Sequence, residues 1–509
     1  AYQEALRKVT ANCLYGVDLN PMAVELCQFT LWLESVEPGK PFAFLDHHIQ
    51  CGNSLLGVTP KLLAEGIPDG AFKPLEGDER SVCTELAAHN RRMRKEREKK
   101  QARFDFGESD SQVNLSDEFS RLSSTEDDSV SAVSQKEKIY NQLVGADEYQ
   151  NAKLLADLWC SVFTWKKDHS ETARICPTDD DFFRFENNPE NIPTDVRAEV
   201  RNIAKQYNFF HWHLAFPEVF QLPDDGNPEN AGTGWSGGFD VILGNPPWER
   251  VKLQEKEFFA LRDPEIANAP NAAFRRRKIA ALETENSLLY DEFKQAVREA
   301  EGTSSMLRNS NVYPLCGRGD VNLYTVFAEA NRFHLNPKGL TGLVLPTGIA
   351  TDDTTKFFFQ DLLDTKSLCS LYDFENKKPL FQGVHRMYKF CCFTAGSGVT
   401  PISESAEFAF FMQDPIELRD SNKCFRLSPN DIALLNPNTR NCSIFRSRQD
   451  AEITKHIYKR VPVLLNEKDP ENGNPWGIKF SRMFDMSNDS HLFKTREQLE
   501  EDRWQLVGN

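Results

Sequence analysis

The sequence lacks the features that mark membrane, exported, disulfide-linked and strongly basic proteins. No run approaches the roughly 20 consecutive apolar residues of a membrane-spanning helix, and the first residues show no basic-then-apolar signal pattern. The 12 cysteines include no Cys-x-x-Cys pair, which argues against a zinc knuckle and a disulfide framework. The 60 basic and 76 acidic residues give a net charge of −16, which argues against a surface that binds polyanions nonspecifically. We therefore expect a cytoplasmic protein with reduced thiols and no membrane partner.

What the sequence does contain is an alternation of strand and helix patterns. Its 509 residues exceed one compact domain, so two or three folded units are expected. Residues 13–18 form a short, mostly apolar run that ends at Asp18, and Asn20 followed by Pro21 is typical of a helix N-terminus. This pattern predicts a strand, a tight turn and a helix. Four apolar residues at helical spacing predict a stripe that packs against a sheet: Met22, Leu26, Phe29 and Leu33.

A second group of strand patterns lies in the other half of the chain. Apolar runs predict a buried strand at 239–244 and further strands at 340–345, 368–374 and 388–394. With a helix at 323–334, they predict a doubly wound α/β sheet. Residues 61–234 separate the two groups and predict a large, mainly helical insertion. Within it, the Ser- and acid-rich residues 105–135 predict a disordered linker.

Asn245-Pro246-Pro247-Trp248 directly follow the predicted strand at 239–244. Two consecutive prolines remove two backbone donors and hold their carbonyls rigidly, so the loop is an acceptor site beside an aromatic ring. The Asn245 side-chain oxygen and the Pro246 carbonyl could accept both hydrogens of an exocyclic amine, while Trp248 stacks on the base. Such a site requires the base to be flipped out of a duplex. The alternative is a stiff turn with Trp248 in the core, and we favour the functional interpretation.

Two further polar residues follow predicted strands. Asp18 lies at the carboxyl end of its strand, where an acid can bind both hydroxyls of a ribose, although an ordinary turn aspartate would look the same. Asn53, in a Gly-Asn-Ser turn, would place its amide beside an adenine ring if its strand belongs to the same sheet. His47, His48, His211 and His213 have no third ligand at metal spacing, so we expect no metal.

Six motifs, in order, carry a resemblance to a known family. They are residues 15–26 (Tyr-Gly-Val-Asp-Leu-Asn-Pro-Met-Ala-Val-Glu-Leu), 52–57 (Gly-Asn-Ser-Leu-Leu-Gly), 244–249 (Gly-Asn-Pro-Pro-Trp-Glu), 319–324 (Gly-Asp-Val-Asn-Leu-Tyr), 344–352 (Val-Leu-Pro-Thr-Gly-Ile-Ala-Thr-Asp) and 380–385 (Leu-Phe-Gln-Gly-Val-His). The chain resembles the S-adenosylmethionine-dependent, adenine-specific DNA methyltransferases. It is most similar to large enzymes of type IIG restriction–modification and of BREX- or DISARM-like phage defence. The resemblance covers roughly half of the chain.

The resemblance implies roles for individual residues. Asp18 with Leu19 would bind the cofactor ribose, and Asn53 would lie beside the cofactor adenine. Residues 245–248 would form the catalytic loop, and Phe381 would pack on the face of the flipped adenine opposite Trp248. The fold implied is a Rossmann-like class I methyltransferase sheet. Its cofactor-binding and catalytic halves would be residues 1–60 and 235–400, and residues 401–509 would connect toward a target-recognition domain.

One element of the family pattern is missing from the sequence. A Gly-rich loop, Asp-Pro-x-x-Gly-x-Gly, should precede Tyr15 by one helix, and no such loop occurs in the sequence. The chain also begins with Ala1 rather than Met. We therefore expect a segment truncated at both ends, with a methyltransferase sheet that is incomplete at its N-terminus.

The predicted function is transfer of a methyl group from S-adenosylmethionine to the exocyclic amine of a flipped adenine. The expected partners are double-stranded DNA and other subunits of a restriction or defence system. One alternative is the same chemistry on RNA or on a protein glutamine. A second alternative is a non-catalytic, nucleic-acid-binding subunit with a methyltransferase-like fold, which the missing Gly-rich loop would permit.

Overall fold

Strands and helices alternate along the chain and form a mixed α/β structure. The computed structural model describes residues 1–101, 115–125, 127–483, 485, 488–505 and 507. The strands are β1 (Gly16–Asp18), β2 (Ile49–Cys51), β3 (Phe220–Gln221), β4 (Ser236–Gly237), β5 (Phe239–Gly244), β6 (Leu335–Leu345), β7 (Leu368–Glu375), β8 (Lys389–Gly396), β9 (Ala406–Met412) and β10 (Phe425–Leu427). The strands predicted at 239–244, 340–345, 368–374 and 388–394 are therefore confirmed as β5 to β8.

The largest sheet has six strands in the order β10-β9-β7-β8-β6-β5. The pairs β5–β6 and β7–β9 are parallel, whereas β6–β8, β7–β8 and β9–β10 are antiparallel. β1 and β2 form a separate parallel pair, and β3 and β4 form a small antiparallel pair. The structure thus differs from the predicted single doubly wound sheet, because no described strand lies between β1 and β5 to join them.

β5 is an edge strand, and the prediction that it is buried was wrong. Val241 is 61% exposed and Leu243 is 79% exposed. β5 pairs with β6 on one side only, so among the described residues nothing covers its other edge. The apolar run correctly indicated a strand, but it could not show whether both neighbours of that strand are present.

The helices have the following bounds along the chain: α1 Tyr2–Cys13, α2 Pro21–Glu34, α3 Pro60–Glu65, α4 Arg80–Gln101, α5 Ser116–Ser124, α6 Val130–Gly145, α7 Asp147–Ser161, α8 Glu171–Arg174, α9 Asp179–Asn187, α10 Thr194–Tyr207, α11 Trp212–Ala215, α12 Glu255–Ala260, α13 Pro264–Ala267, α14 Ala272–Glu285, α15 Ser287–Asn309, α16 Leu323–Phe333, α17 Gly348–Thr351, α18 Lys356–Asp364, α19 Pro429–Leu435, α20 Arg448–Tyr458 and α21 Arg496–Glu501. Helices α3 to α11 lie between β2 and β5, where the sequence predicts a helical insertion. No helix among the described residues combines the length and the apolar character that a membrane span requires.

Helix α2 begins where predicted but buries a different face. The Asn20 side chain accepts the Met22 N–H at 3.0 Å, and Pro21 is the first helical residue. The predicted stripe is exposed, from 52% at Phe29 to 72% at Met22. Val24 and Trp32 instead pack against the small cluster formed by α1 and β2. Because the helix is apolar on all sides, its periodicity could not identify the buried face.

The predicted linker at 105–135 is helical where the structure describes it. α5 lies entirely within that range, and α6 begins within it. Phe119 and Leu122, three positions apart on α5, are almost completely buried, and the Phe119 ring lies 6.3 Å from that of Tyr140 on α6. Buried apolar side chains thus dock this polar segment. Residues 105–114, and position 126, lie outside the described residues.

One continuous apolar core joins the helical insertion to the six-stranded sheet. Trp159 on α7 and Val200 on α10 belong to the same buried cluster as Leu371 on β7 and Phe393 on β8. All four side chains are at most 1% exposed. The insertion therefore shares one core with the six-stranded sheet instead of forming a separate core.

Candidate active site

Asp18, Leu19 and Asn53 lie together at one end of the β1–β2 pair. The two parallel strands end side by side, with Asp18 last in β1 and Asn53 two residues beyond β2. Asp18 is exposed, and its carboxylate accepts the Asn20 N–H at 2.7 Å. The Asn53 side-chain oxygen accepts the Leu55 N–H at 3.2 Å, and its amide nitrogen has no partner among the described residues. This edge therefore presents a carboxylate and an amide donor to a ligand.

The loop of residues 245–248 leaves β5 at the exposed edge of the large sheet. Asn245 and Pro247 are exposed, whereas Pro246 and Trp248 are partly buried. Within the described part of the chain, the Asn245 side chain makes no hydrogen bond. Since a proline lacks an N–H, the loop offers the Asn245 amide and backbone carbonyls to solvent, but few donors.

The chain just after Trp248 is fixed to the motif at residues 319–324. The Val251 N–H donates to the Val321 carbonyl at 3.0 Å, and the Leu323 N–H donates to the Glu249 carbonyl at 2.9 Å. The structure thus brings together two motifs that are 70 residues apart in the sequence.

Glu329 on α16 holds the loop that leads into this second motif. Its carboxylate is fully buried and accepts the N–H groups of Leu315 at 3.0 Å and Cys316 at 2.7 Å. Burial penalises the charged form and raises the pKa of Glu329 to about 7. Sequence reasoning missed this residue, and its only signal was an acid between Ala328 and Ala330.

We expect Glu329→Gln to remove part of the pH dependence of stability. A carboxyl group whose pKa is raised in the folded state stabilises the fold at low pH, and that contribution is lost as pH rises from about 4.5 to about 7. The loss for the unmodified protein is on the order of 3 kcal/mol. Urea unfolding at pH 5 and pH 8 measures it. The glutamine variant should lose less stability between these two pH values.

Glu404→Gln serves as the control, because Glu404 is an exposed acid. It should leave the difference between pH 5 and pH 8 unchanged. An identical pH dependence in Glu329→Gln and the unmodified protein would show that the Glu329 carboxyl is not the titrating group.

Trp248 and Phe381 both contact one aromatic cluster. Trp248 packs against the buried group that includes Phe374 and Phe390. The Phe381 ring is 40% exposed and meets the Phe390 ring edge-on at 5.0 Å. The indole N–H of Trp248 is buried and has no hydrogen-bond partner in the described chain. That Trp248 and Phe381 hold the two faces of a base stays a prediction.

Two buried polar residues on or next to β7 were also missed by sequence reasoning. Asp373 accepts the Thr347 hydroxyl and, at 3.0 Å, the N–H of Phe411, whose φ of 62° is in the left-handed region. Asn376, the residue after β7, hydrogen-bonds the segment that carries Phe381. The partners of Asp373 and Asn376 are distant in sequence or lie in irregular backbone, so no local sequence pattern indicates these hydrogen bonds.

The histidines of the two pairs are buried in the fold. His211 Nδ1 accepts the Val58 N–H at 3.3 Å, while its Nε2 lies 3.0 Å from the buried Asp157 carboxylate. Burial lowers the pKa of His47 to about 2 and that of His48 to about 3. No group of three His, Cys, Asp or Glu residues is arranged to hold a metal ion in the part of the chain that the structure describes.

Comparisons with known proteins point to restriction-modification systems. The Eco57I restriction-modification methylase family model matches residues 12–273, which is 262 of the 509 residues. The putative type II restriction enzyme and methyltransferase RM.MjaORFECS2P of Methanocaldococcus jannaschii is 24% identical over 281 residues, or 52% of this chain and 20% of that protein. The chain thus spans about a fifth of the length of this curated relative.

Two solved structures were also matched. One is a modification subunit of a putative type I restriction enzyme from Vibrio vulnificus YJ016, with 12% identity, a TM-score of 0.23, and coverage of 85% of this chain and 86% of that chain. The other is a nuclease-deletion mutant of the Type ISP restriction-modification enzyme LlaGI in complex with a DNA substrate mimic. It has 12% identity, a TM-score of 0.21, and coverage of 81% of this chain and 41% of that chain.

Proposed function

We propose that this chain, which belongs to the Eco57I restriction-modification methylase family, is part of an enzyme that transfers a methyl group from S-adenosylmethionine to the exocyclic amine of adenine in DNA. The observation that carries the proposal is the loop of residues 245–248. It holds an exposed asparagine amide, which has no hydrogen-bond partner among the described residues, between a strand end and a partly buried tryptophan. This arrangement suits a planar amine attached to an aromatic ring.

The residues at the end of the β1–β2 pair fit the adenosine part of S-adenosylmethionine. The exposed Asp18 carboxylate can accept hydrogen bonds from the two ribose hydroxyls, and the Asn53 amide nitrogen, which has no partner in the described part of the chain, can donate to an adenine nitrogen. Leu19, which is 54% exposed, offers an apolar surface beside them. When bound, S-adenosylmethionine supplies an activated methyl group on a sulfonium centre.

Residues 245–248 would act on the adenine amine. The lone pair of an exocyclic amine is delocalised into the ring, so the amine is a poor nucleophile. The Asn245 side-chain oxygen and the Pro246 carbonyl would accept its two hydrogens and favour the lone pair on nitrogen. The same two oxygens would stabilise positive charge that develops on the amine during transfer.

Positive charge around Phe381 supports a DNA partner. The exposed residues 377–389 contain four basic side chains, Lys377, Lys378, Arg386 and Lys389, and no acid. Glu375 pairs with Lys377 at 2.5 Å and with Lys389 at 3.4 Å, and Asp414 lies 3.8 Å from Lys378, so two acids offset part of the four positive charges and the segment keeps a net positive charge. Basic side chains beside a base-binding pocket would contact the phosphates that flank a flipped nucleotide. Other subunits of a restriction or phage-defence system remain proposed partners.

We also propose that β1–β2 and the six-stranded sheet are parts of one Rossmann-like class I methyltransferase sheet. The Tyr15 ring, next to β1, lies 5.3 Å from the ring of Phe239, the first residue of β5. Strands on either side of one intervening strand are roughly 10 Å apart, a gap that two large side chains can bridge. A strand there would cover Val241 and Leu243. Residues 1–60 and 235–400 would be the two halves, with 401–509 leading toward target recognition.

Sequencing of modified DNA tests the proposed function. The intact protein is expressed in a host without adenine methylation, and its genomic DNA is read for N6-methyladenine. Methylation at one defined sequence is expected. Complete absence of modified adenine with retained DNA binding would favour the non-catalytic alternative. Methylated RNA or protein glutamine in the same cells would favour the alternative in which the same chemistry acts on RNA or protein.

The chain of 509 residues alone should bind S-adenosylmethionine weakly or not at all. Asp18 and Asn53 contact only the ribose and adenine ends, and the sequence contains no Asp-Pro-x-x-Gly-x-Gly loop to contact the remainder. Calorimetry with the isolated chain measures this affinity. Micromolar binding would contradict the prediction and show that another described segment replaces the loop. Asp18→Ala would then show whether the ribose contact contributes.

A further inference from the structure

The segment that carries Phe381 has no regular secondary structure of its own. Residues 377–388 join β7 to β8 without a helix or strand, and every one of them is exposed. The few internal hydrogen bonds include the Val384 N–H to the Phe381 carbonyl at 3.2 Å and the Tyr388 N–H to the His385 carbonyl at 3.0 Å. Such a segment needs a connection to the core if its aromatic ring is to keep one position.

Asn376 supplies that connection. Its side chain is fully buried directly after β7, and all three of its hydrogen bonds go to this segment. The amide nitrogen donates to the carbonyls of Phe381 at 3.0 Å and Val384 at 2.8 Å, and the amide oxygen accepts the Phe381 N–H at 3.1 Å. The Asn376 backbone N–H also donates to the Tyr388 carbonyl at 3.1 Å.

The chemistry at position 376 requires an asparagine. The site needs two N–H donors and one acceptor in one plane, at the length of a two-carbon side chain. Aspartate has the same size, but it would direct a negative charge at the carbonyls of Phe381 and Val384. A leucine would leave the Val384 carbonyl and the Phe381 N–H without a protein partner, and the Phe381 carbonyl would keep only the Val384 N–H.

We propose that Asn376 is a positioning residue that fixes the backbone of Phe381, so that the Phe381 ring is held ready for the flipped adenine. This inference rests on the proposed function, because the ring position matters only if Phe381 contacts a base. The backbone of Phe381 is held by Asn376 at both its N–H and its carbonyl, and the ring is held by Phe390. The Asn376 side chain is fully buried, so it would act through Phe381 and not by contacting the substrate.

The first test measures how firmly the segment is held in the intact protein. Trypsin can cut after Lys377 and after Arg386, and Asn376→Asp should speed cleavage at these bonds by about tenfold. Asn90→Asp is the matched control, since Asn90 is also fully buried and makes three side-chain hydrogen bonds, with Ile67, Asp69 and Asp179. The control should leave cleavage at 377 and 386 unchanged. Equal cleavage in Asn376→Asp and the unmodified protein would overturn the proposal.

The second test asks whether Asn376 acts through Phe381. Asn376→Asp should lower kcat/KM for DNA methylation by about tenfold in the unmodified background and by less than about twofold in Phe381→Ala. Full additivity of the two substitutions would overturn the positioning role and indicate a general loss of stability. If Asn376→Asp fails to fold, Asn376→Ser, which keeps one donor, carries both tests. If Asn376→Asp is cleaved faster but the unmodified protein methylates no DNA, the proposed function is overturned, and with it the role in base binding, while the anchoring itself stands.

Discussion

Replacing Asn245 with alanine in the intact protein should abolish methyl transfer and leave DNA binding largely unchanged. The side-chain oxygen of Asn245 would be used mainly as positive charge develops on the adenine amine, so its loss affects the transition state more than the complex with DNA. Removal of one such polar group costs about 3–4 kcal/mol of activation free energy, or on the order of several hundred-fold in rate. Transfer of a radioactive methyl group to unmodified DNA measures the rate, and gel retardation measures binding.

Asn336→Ala provides the control for damage to the sheet. Asn336 lies on β6, which pairs with β5, and its amide donates to the Asp240 carboxylate on β5 at 2.6 Å. It is near the catalytic strand but outside the loop of residues 245–248, so its loss should leave methylation within about twofold. Activity of Asn245→Ala within about tenfold of the unmodified protein would refute the assigned role of Asn245.

Local signals in the sequence predicted the elements that carry the candidate site. Asn20 and Pro21 placed the start of α2 correctly because a cap and its helix are contiguous in the chain. The runs that became β5 to β8 were found for the same reason, since strand periodicity is a property of neighbouring residues. Asp18 and Asn53 came to one edge because the ends of paired parallel strands meet there.

What the sequence could not show depends on partners far along the chain. Val241 and Leu243 lie on one face of the edge strand β5, and no pattern within β5 shows whether that face is covered. Glu329 and Asn376 were missed because their roles depend on the backbone groups that they bind. Glu329 binds a turn 13 or 14 residues away, and Asn376 binds an irregular segment.

The same limit applies to the candidate site as a whole. Residues 245–248 could be recognised from their own chemistry, whereas Phe381 was one of 37 phenylalanines and was selected only through a resemblance. The structure places Phe381 on an exposed, basic segment and connects its ring to the cluster beside Trp248 through Phe390. The Phe381 ring is 40% exposed while its backbone is held at both its N–H and its carbonyl, which is the geometry that the base-binding hypothesis requires.

Trp248→Ala and Phe381→Ala should each lower kcat/KM for DNA methylation by about 10- to 100-fold. Stacking of a base on an aromatic ring contributes on the order of 1–3 kcal/mol per base, and each ring would hold one face of the flipped adenine. Aromatic replacements, Trp248→Phe and Phe381→Tyr, should keep most of the activity because they retain a stacking surface. Phe493→Ala is the control, since Phe493 is 44% exposed, close to the 40% of Phe381, and lies far along the chain from it.

A mismatched target base separates stacking from chemistry. A mismatch lowers the cost of unstacking the adenine, so the flipped state depends less on the two rings. On a duplex that carries the recognition sequence with the target adenine mispaired, the deficits of Trp248→Ala and Phe381→Ala should shrink by about tenfold. The deficit of Asn245→Ala should remain, because its oxygen acts after the base has left the duplex. If the Phe381→Ala deficit is the same on both duplexes, Phe381 does not hold the flipped base and Trp248 must act alone.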